Sequence, residues 1–272
     1  VVTGPGSANP IGGQMAAVKT YGKRIDKMIV KAPLAIKMAL GENPKRVYHD
    51  KSRTPVTRMA TAALIREQLY KAKNYMEKLD RAQKGEGTPP EFDFKCEALL
   101  PALRREIQVH IHCHRADDIF TAIRIAKEFD LDYVIVHATE GYLIADELKE
   151  EGARLLSGPF LSDRSKPELR NLTPACPGKL SGAGLPVAII TDHPVTPEQY
   201  LPALAGLAVR EGMDYDEALR AITINPAKIC GIDNRVGTLE TGKDADFTVY
   251  RTDPLSLSSK PEMVFCSGIR QG

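Results

Sequence analysis

The sequence predicts an α/β fold built around a parallel sheet, and two observations support this prediction. Apolar runs and helical segments alternate strictly through the second half of the chain. We expect strands at 107–112, 133–138, 153–159 and 185–192, and helices near 116–129, 142–151 and 197–211. The run LPVAIITD at 185–192 is apolar along nearly its whole length, as in strands covered by helices on both faces. These patterns fit both an open doubly wound sheet and a closed barrel.

Size and charge narrow the class of protein. The 272 residues suffice for one large α/β barrel domain or for two ordinary domains. The 37 basic and 35 acidic residues leave a net charge of +2, which argues against a nucleic-acid-binding protein. No apolar run reaches the roughly 18 residues of a membrane span, and the start VVTGPGS lacks the features of a signal peptide. Five scattered cysteines are typical of reduced thiols, so we expect a cytoplasmic protein.

The N-terminal part of the chain is expected to be less regular than the rest. Residues 1–3 are β-branched and favour the end of a strand, and no initiator Met precedes them. We therefore expect this chain to be part of a longer one. The turn-rich residues 4–13 predict a loop, and the apolar runs at 26–30 and 34–39 predict two short strands.

Three further segments complete the predicted organisation. Residues 55–84 have the composition and the apolar spacing of a long helix. The polar stretch 162–181 is too long for a simple connector, and we expect a lid or a wall of the active site there. The tail differs in character, because short β-prone runs at 236–251 and 263–269 predict a small β unit that needs a partner segment to bury a core.

Potential metal ligands lie at the ends of three predicted strands. The stretch VHIHCHRADD at 109–118 places His112 at one strand end, and His137 and Asp192 hold the same place on two later strands. Function in parallel α/β folds concentrates at the C-terminal ends of strands, and imidazole and carboxylate suit Zn(II) or a similar divalent ion. His112 is the first choice of ligand in its segment, and His114 is the rival. One buried histidine alone favours a structural role, whereas three successive strand ends favour a metal site.

The chemistry expected of such a site is hydrolytic. A divalent metal lowers the pKa of bound water to about 7, and Asp192 is placed to take a proton from that water and deliver it to a leaving nitrogen. Lys37 lies inside an apolar run, where it either turns to solvent or carries a CO2-derived carbamate that bridges two metal ions. Arg164 and Arg170, in the polar stretch 162–181, are candidates for holding a substrate carboxylate.

Five motifs follow one another in a recognisable order. They are IHCH at 111–114, VHATEG at 136–141, ITDHP at 190–194, ITINPA at 222–227 and VGTLETGKDADFTVY at 236–250. Together they resemble the amidohydrolase superfamily, in particular its imidazolonepropionase-like branch and its members that cleave cyclic imidates or dipeptides. The resemblance implies a (β/α)8 TIM barrel over 1–230 and the C-terminal part of a β-sandwich over 231–272. It also implies a hydrolase that cleaves non-peptide C–N bonds, cyclic amides included, in small molecules with one or two zinc or other divalent ions.

Carried over position by position, the resemblance assigns roles to single residues. His112 would be the metal ligand on strand five, His137 the ligand on strand six, and Asp192 the ligand and proton shuttle on strand eight. The segment around Lys37 resembles strand four, where family members place a carboxylated lysine or a glutamate. Lys37 matches the lysine version, and Glu42 is the alternative.

The chain departs from the family pattern in one respect. The family's first barrel strand ends in a His-x-His pair, and no such pair lies upstream of His110. The resemblance therefore implies a chain that holds strands two to eight, lacks its first strand and half of the sandwich, binds metal weakly and is poorly active. Exposed strand edges in the tail lead us to expect a homo-oligomer. A metal-dependent deaminase and a non-catalytic barrel homologue that acts as a binding or assembly subunit are the alternatives.

Overall fold

A seven-stranded sheet forms the centre of the molecule, whose computed structural model describes residues 1–271. Its strands follow the order of the chain: β1 (Val2–Thr3), β2 (Ile11–Val18), β3 (Ile29–Ala39), β4 (Gln108–Cys113), β5 (Tyr133–His137), β6 (Leu155–Ser157) and β7 (Val187–Ile189). β3 to β7 are parallel to one another, whereas β1 pairs with β2, and β2 with β3, in antiparallel fashion. The sheet is open, with β1 and β7 at its two edges.

Helices lie between the strands of the main sheet and after its last strand. They are α1 (Ile25–Met28), α2 (Glu42–His49), α3 (Arg58–Gln83), α4 (Phe94–Glu97), α5 (Leu100–Leu103), α6 (Ala116–Glu128), α7 (Ala145–Glu150), α8 (Cys176–Gly182), α9 (Leu201–Arg210), α10 (Tyr215–Ala221) and α11 (Ile224–Ile229), with 3-10 turns at Gly141–Leu143, Pro167–Leu169 and Glu198–Tyr200. The long helix α3 begins after Thr57, whose Oγ1 accepts a hydrogen bond from the Ala60 N–H at 3.1 Å. Among the helices of residues 1–271, none combines the length and the apolar content that crossing a bilayer requires.

The main core lies between the sheet and the helices that follow β3 and β4. Ile111 of β4 and Ile135 of β5 pack in one cluster with Leu69 of α3 and Ile119 of α6, and all four side chains are buried. In this sheet Ala39 pairs with His112, and Cys113 pairs with His137. Because parallel strands end at the same edge of a sheet, this register brings the ends of β3, β4 and β5 together.

Of the two short strands predicted in the N-terminal part, the one at 34–39 is present, whereas the one at 26–30 is not a separate strand. Residues 26–28 lie in the helix α1, and residues 29–30 and 34–39 both belong to one continuous strand, β3. β3 continues past Pro33, and its register with β2 is irregular between Met15 and Ala17. Proline donates no backbone hydrogen bond, so a strand tolerates it where the ladder is interrupted in this way.

Two predicted loops are also more ordered than expected. The loop predicted at 4–13 ends before Ile11, where β2 begins, although the residues that follow include Gly12 and Gly13. Glycine has little strand propensity of its own, so pairing with β3 determines this strand. The stretch 162–181 contains the 3-10 turn at Pro167–Leu169 and most of α8.

The tail forms a second, antiparallel sheet of three strands, β8 (Phe247–Tyr250), β9 (Pro261–Cys266) and β10 (Ile269–Gln271). The small β unit expected from the sequence is therefore present. The Lys19 ammonium, just after β2, forms ion pairs with Asp244 at 2.9 Å and with Asp246, and these contacts attach the tail to the main sheet. The division into domains at 1–230 and 231–272 stays a prediction.

Candidate metal centre

Three buried imidazoles meet at the C-terminal ends of β4 and β5. His112 lies in β4, His114 follows that strand directly, and His137 ends β5. One ring nitrogen from each of them lies within 4.8 Å of the other two. The rings are in contact, with centroid separations of 4.8 Å for His112 and His114 and of 4.5 Å for each of these with His137. This is the group of potential metal ligands that the register of the sheet assembles.

Hydrogen bonds to the chain hold two of these rings in place. His137 Nδ1 lies 2.6 Å from the Gly158 carbonyl oxygen, so this nitrogen carries the proton and Nε2 keeps its lone pair. His114 Nδ1 lies 2.8 Å from the Thr139 hydroxyl oxygen. Such contacts fix the ring orientation and the tautomer of a metal-binding histidine.

The third ring, that of His112, has an unmatched nitrogen. Its Nδ1 is buried without a hydrogen-bond partner among residues 1–271. Its Nε2 has only a long contact, 3.4 Å, with Asn43 Nδ2. Buried polar atoms are nearly always paired. An unpaired imidazole nitrogen beside two other imidazoles is therefore suited to bind a metal ion.

Burial keeps the three imidazoles neutral. It lowers the pKa of His112 and of His114 well below the usual value of 6.5, and the neighbouring imidazoles lower both values further. Burial lowers the pKa of His137 to about 4, although the negative charge of Asp192 opposes this shift. Neutral imidazole is the form that binds divalent metals, so the site presents nitrogen ligands in the right protonation state.

Asp192 does not belong to the three-histidine group, and Lys37 lies in the strand next to β4. Asp192 is exposed and has a φ of 50°, three residues after β7 ends. Lys37 lies in β3, pairs with His110 and is only 8% exposed. Burial lowers the pKa of the Lys37 amine, and Asp192 opposes that effect as it does for His137. The negative charge of Asp192 therefore favours the protonated form of both groups.

Glu42, the alternative to Lys37, has cationic partners of its own. Its Oε1 lies 2.7 Å from Arg58 Nη2, and its Oε2 lies 3.1 Å from the Lys45 ammonium. Burial by itself would raise the pKa of the Glu42 carboxyl, but Lys45 and Arg58 lower it below its usual value. The Glu42 carboxylate is thus held in ion pairs at the start of α2.

The two arginines expected to hold a substrate carboxylate both contact the protein. Arg164 Nη2 donates a hydrogen bond of 2.8 Å to the Leu172 carbonyl. The Arg170 side chain is 70% exposed, and its Nε lies 3.8 Å from Glu140 Oε1. Each guanidinium keeps donors free, so both stay candidates for substrate contact.

Glu168 is a site residue that the sequence did not reveal. It lies in the 3-10 turn of the stretch 162–181, and its side chain is 0% exposed. Its Oε2 accepts a 2.8 Å hydrogen bond from the Glu42 N–H, and its Oε1 lies 3.8 Å from His114 Nε2. The Lys166 ammonium lies 3.3 Å from the same Oε1. A glutamate that follows Lys166 and Pro167 in a polar stretch carries no sequence signal for burial, so only the fold could identify it.

A sequence profile named "Amidohydrolase family" matches residues 28–270. The chain belongs to the amidohydrolase family. This match confirms the relationship that the five motifs indicated.

Two curated relatives of this amidohydrolase chain are similar over different lengths. It is 31% identical to amidohydrolase tasK of Hapsidospora irregularis over 98% of its own length and 30% of that protein. It is 33% identical to the imidazolonepropionase of Thermoplasma acidophilum over 46% of its own length and 28% of that enzyme. The chain thus spans less than a third of these relatives.

Solved structures show the same fold. An amidohydrolase from Thermotoga maritima MSB8 superposes with a TM-score of 0.96 and 44% identity, over 99% of this chain and 70% of that one. A Xaa-Pro dipeptidase with bound methionine gives a TM-score of 0.51 at 21% identity, which is a likeness of fold alone. The predicted α/β barrel class is confirmed, with five parallel strands of the barrel sheet present.

Proposed function

We propose that this chain carries the metal centre of a hydrolase that cleaves a non-peptide C–N amide bond in a small molecule, cyclic amides included. The observation that carries the proposal is the group of three buried, neutral imidazoles within 4.8 Å of one another. Membership of the amidohydrolase family supports hydrolysis, and relatives named imidazolonepropionase support a C–N substrate bond.

The three histidines fit a zinc or similar divalent ion. Two nitrogens bound to one zinc ion at about 2 Å each lie at most about 4 Å apart. The nitrogens lie within 4.8 Å of one another, and small side-chain rotations would bring them into that range. Among the described residues, His112 Nδ1 forms no hydrogen bond that metal binding would break. When bound, such an ion polarises the substrate carbonyl and activates water near neutral pH.

The protein's own groups orient the candidate ligands and transfer protons. The Gly158 carbonyl and the Thr139 hydroxyl hold His137 and His114 in position. Asp192, exposed beside the centre, takes a proton from the attacking water and returns it to the leaving nitrogen. In this proposal Asp192 is the fourth ligand as well as the proton shuttle.

Lys37 extends the proposal to a second ion. Its buried amine has a lowered pKa, so a larger fraction of it is neutral than in a surface lysine. Only the neutral amine reacts with CO2, so this position suits a carboxylated lysine that bridges two ions. Glu42 is less suited to that role, because Arg58 and Lys45 already bind its carboxylate.

Zinc titration of single variants tests the centre. We expect His112→Ala, His114→Ala and His137→Ala each to weaken zinc binding by about tenfold or more, because each removes one nitrogen ligand. His49→Ala is the matched control, since His49 is exposed and lies outside the group. Affinity is measured by competition with a chromogenic chelator, and bound metal by mass spectrometry.

Turnover distinguishes the hydrolase from its alternatives. Asp192→Asn is expected to lower kcat by about 100-fold or more while the fold persists. Hydrolysis releases an amine and a carboxylate, whereas a deaminase releases ammonia without a new carboxylate. Zinc affinities that are equal in wild type, in the three histidine variants and in His49→Ala would show that the histidines form a packed core rather than a metal centre.

A further inference from the structure

A pocket of about 380 Å³ is lined in part by Asn43, whose side chain lies against His112. Its polar wall consists of two cations, Arg46 and Lys166, together with Ser7, Asn43 and Ser165. The rest of the wall is small and apolar, and no acidic side chain lines it. A volume in this range is sufficient for a small organic molecule.

Asn43 connects this pocket to the metal centre. Its Nδ2 lies 3.4 Å from His112 Nε2 and donates a 2.6 Å hydrogen bond to the Ser7 hydroxyl. Its Oδ1 accepts a 2.6 Å hydrogen bond from the Lys166 ammonium. One carboxamide therefore contacts both a candidate metal ligand and a cation of the pocket.

The charge of the pocket is close to one net positive charge. The Lys166 ammonium lies 3.3 Å from the buried Glu168 carboxylate, which neutralises part of its charge. The Arg46 guanidinium has no hydrogen-bond or ion-pair partner within residues 1–271. Arg164 and Arg170, in contrast, contact a backbone carbonyl and Glu140. An unpaired guanidinium beside serine hydroxyls presents the donors that suit a carboxylate monoanion.

We propose that Arg46 and Lys166, with the hydroxyls of Ser7 and Ser165, form the carboxylate subsite of the substrate. This inference rests on the proposed amide hydrolysis and narrows its substrate class. The substrates are amides that carry a free carboxylate a few bonds from the scissile carbonyl. The carbonyl lies at the histidines, and the carboxylate occupies the pocket on the far side of Asn43.

Binding of matched probes tests the subsite without relying on turnover. The acids N-acetylglycine, N-acetyl-β-alanine and N-acetyl-γ-aminobutyrate differ in the distance between amide and carboxylate, and each has a neutral carboxamide counterpart. Their dissociation constants are measured by ligand-observed NMR on the full chain, with zinc added and with metal removed by chelation. We expect at least one acid to bind about tenfold more tightly than its carboxamide in both conditions, which corresponds to one charge-assisted contact.

Three variants assign that preference to the pocket. In Arg46→Gln, the affinity for the acid should fall to that for its carboxamide. Arg46→Lys should retain part of the preference for the acid. Lys166→Gln should also weaken binding of the acid. Lys51→Gln, which removes an exposed cation outside the pocket, should leave the affinities unchanged. Thermal unfolding verifies that each variant is folded.

Three results would overturn the subsite. They are equal binding of every acid and its carboxamide, a preference that survives in Arg46→Gln, and a preference that exists only when zinc is present. The last result would mean that the carboxylate binds the metal itself. Failure of the proposed hydrolysis is recognised separately, because the chelated sample reports on the pocket whether or not the chain binds zinc or turns over an amide.

Discussion

His114 and His137 each use one ring nitrogen for a contact with the chain and leave the other for the centre. Thr139 and Gly158, which supply those contacts, come from the segments that follow β5 and β6. The orientation of the candidate ligands therefore depends on residues that would not themselves touch the metal. Such residues are tested by changes that keep the volume of the side chain and remove only its hydrogen bond.

Thr139→Val is expected to weaken zinc binding by about tenfold to 100-fold, because His114 loses the hydroxyl that orients it. The buried Thr139 side chain is 4% exposed, and valine has nearly its shape. Thr121→Val is the control, since the Thr121 hydroxyl donates to the Asp117 carbonyl on the surface of α6. An unchanged affinity in Thr139→Val, measured by the same chelator competition, would leave the hydroxyl without a role in orienting His114.

The alkylation rate of two buried thiols is expected to depend on pH. Burial raises the pKa of Cys176 and of Cys230 to about 11, from a usual value of 9.0. At pH 8 both are then about 100-fold less ionised than free thiols, and their alkylation should accelerate about tenfold per pH unit up to pH 10. Cys266 is half-buried.

Alkylation by iodoacetamide, followed by peptide mass spectrometry, measures these rates in the folded protein. We expect Cys266 to be labelled first at pH 8, and Cys176 and Cys230 to react at its rate only after unfolding in denaturant. Labelling of either buried thiol as fast as Cys266 in the folded protein would contradict their burial.

At the scale of elements, a cluster of charges attaches the stretch 162–181 to the barrel. The Arg58 guanidinium at the start of α3 is surrounded by three carboxylates. Its Nε donates to Asp118 Oδ2 at 3.0 Å, and its Nη2 lies 2.7 Å from Glu42 Oε1, an ion pair without the angles of a hydrogen bond. Glu168 Oε2 is 3.8 Å from the same Nη2. Because α2, α3, α6 and the stretch 162–181 each supply one member, the cluster determines where that stretch can lie.

Gly41 provides a test of this arrangement. Its φ is +84°, and a Cβ added there would lie 2.6 Å from Glu168 Oε2. Gly41→Ala should therefore lower the free energy of unfolding by about 2 kcal/mol or more, from backbone strain together with the steric overlap. Gly85→Ala, with a φ of +78° and open space around the added carbon, controls for the strain alone.

A double-mutant cycle separates the overlap from the strain. In a Glu168→Ala background the carboxylate is absent, so Gly41→Ala should cost about 1 kcal/mol less than in the wild type. Urea denaturation measures all four free energies of unfolding. Additive effects would show that Glu168 does not press against Gly41 in the folded protein.

At the scale of the whole molecule, the main sheet and the tail sheet are joined by few polar contacts. Arg235 Nη1 donates to the Val30 carbonyl at 3.0 Å, and its Nη2 lies 2.8 Å from Asp244 Oδ2. The Lys19 ammonium binds the same aspartate and Asp246, 227 residues away in sequence. Burial opposes the charge on Lys19, but the hydrogen bonds that it donates to the two aspartates raise its pKa above the usual value. The homo-oligomer expected from exposed strand edges stays a prediction, which light scattering measures directly.

Lys19→Met is expected to loosen the tail without unfolding the main core. Hydrogen exchange monitored by mass spectrometry should accelerate in peptides from 244–271 and stay unchanged in peptides from β4 and β5. Lys71→Met is the control, since it removes a surface ion pair with Asp93 at 2.6 Å. Equal exchange of the tail in both variants would mean that apolar packing, such as that of the buried Leu255 against α9, holds it instead.

The amino-acid sequence by itself determined the alternation of strands and helices from β4 onward, because apolar spacing is a local property of the chain. It also placed His112 and His137 at strand ends, and it retained His114 as a rival. What only the tertiary structure decided are contacts between segments far apart in sequence. Glu168 is buried against the Glu42 N–H, 126 residues away, and Asn43 lies against His112 across 69 residues. The reason is physical: strand register and the approach of distant segments decide which polar groups lose water together, and no short stretch of sequence contains that information.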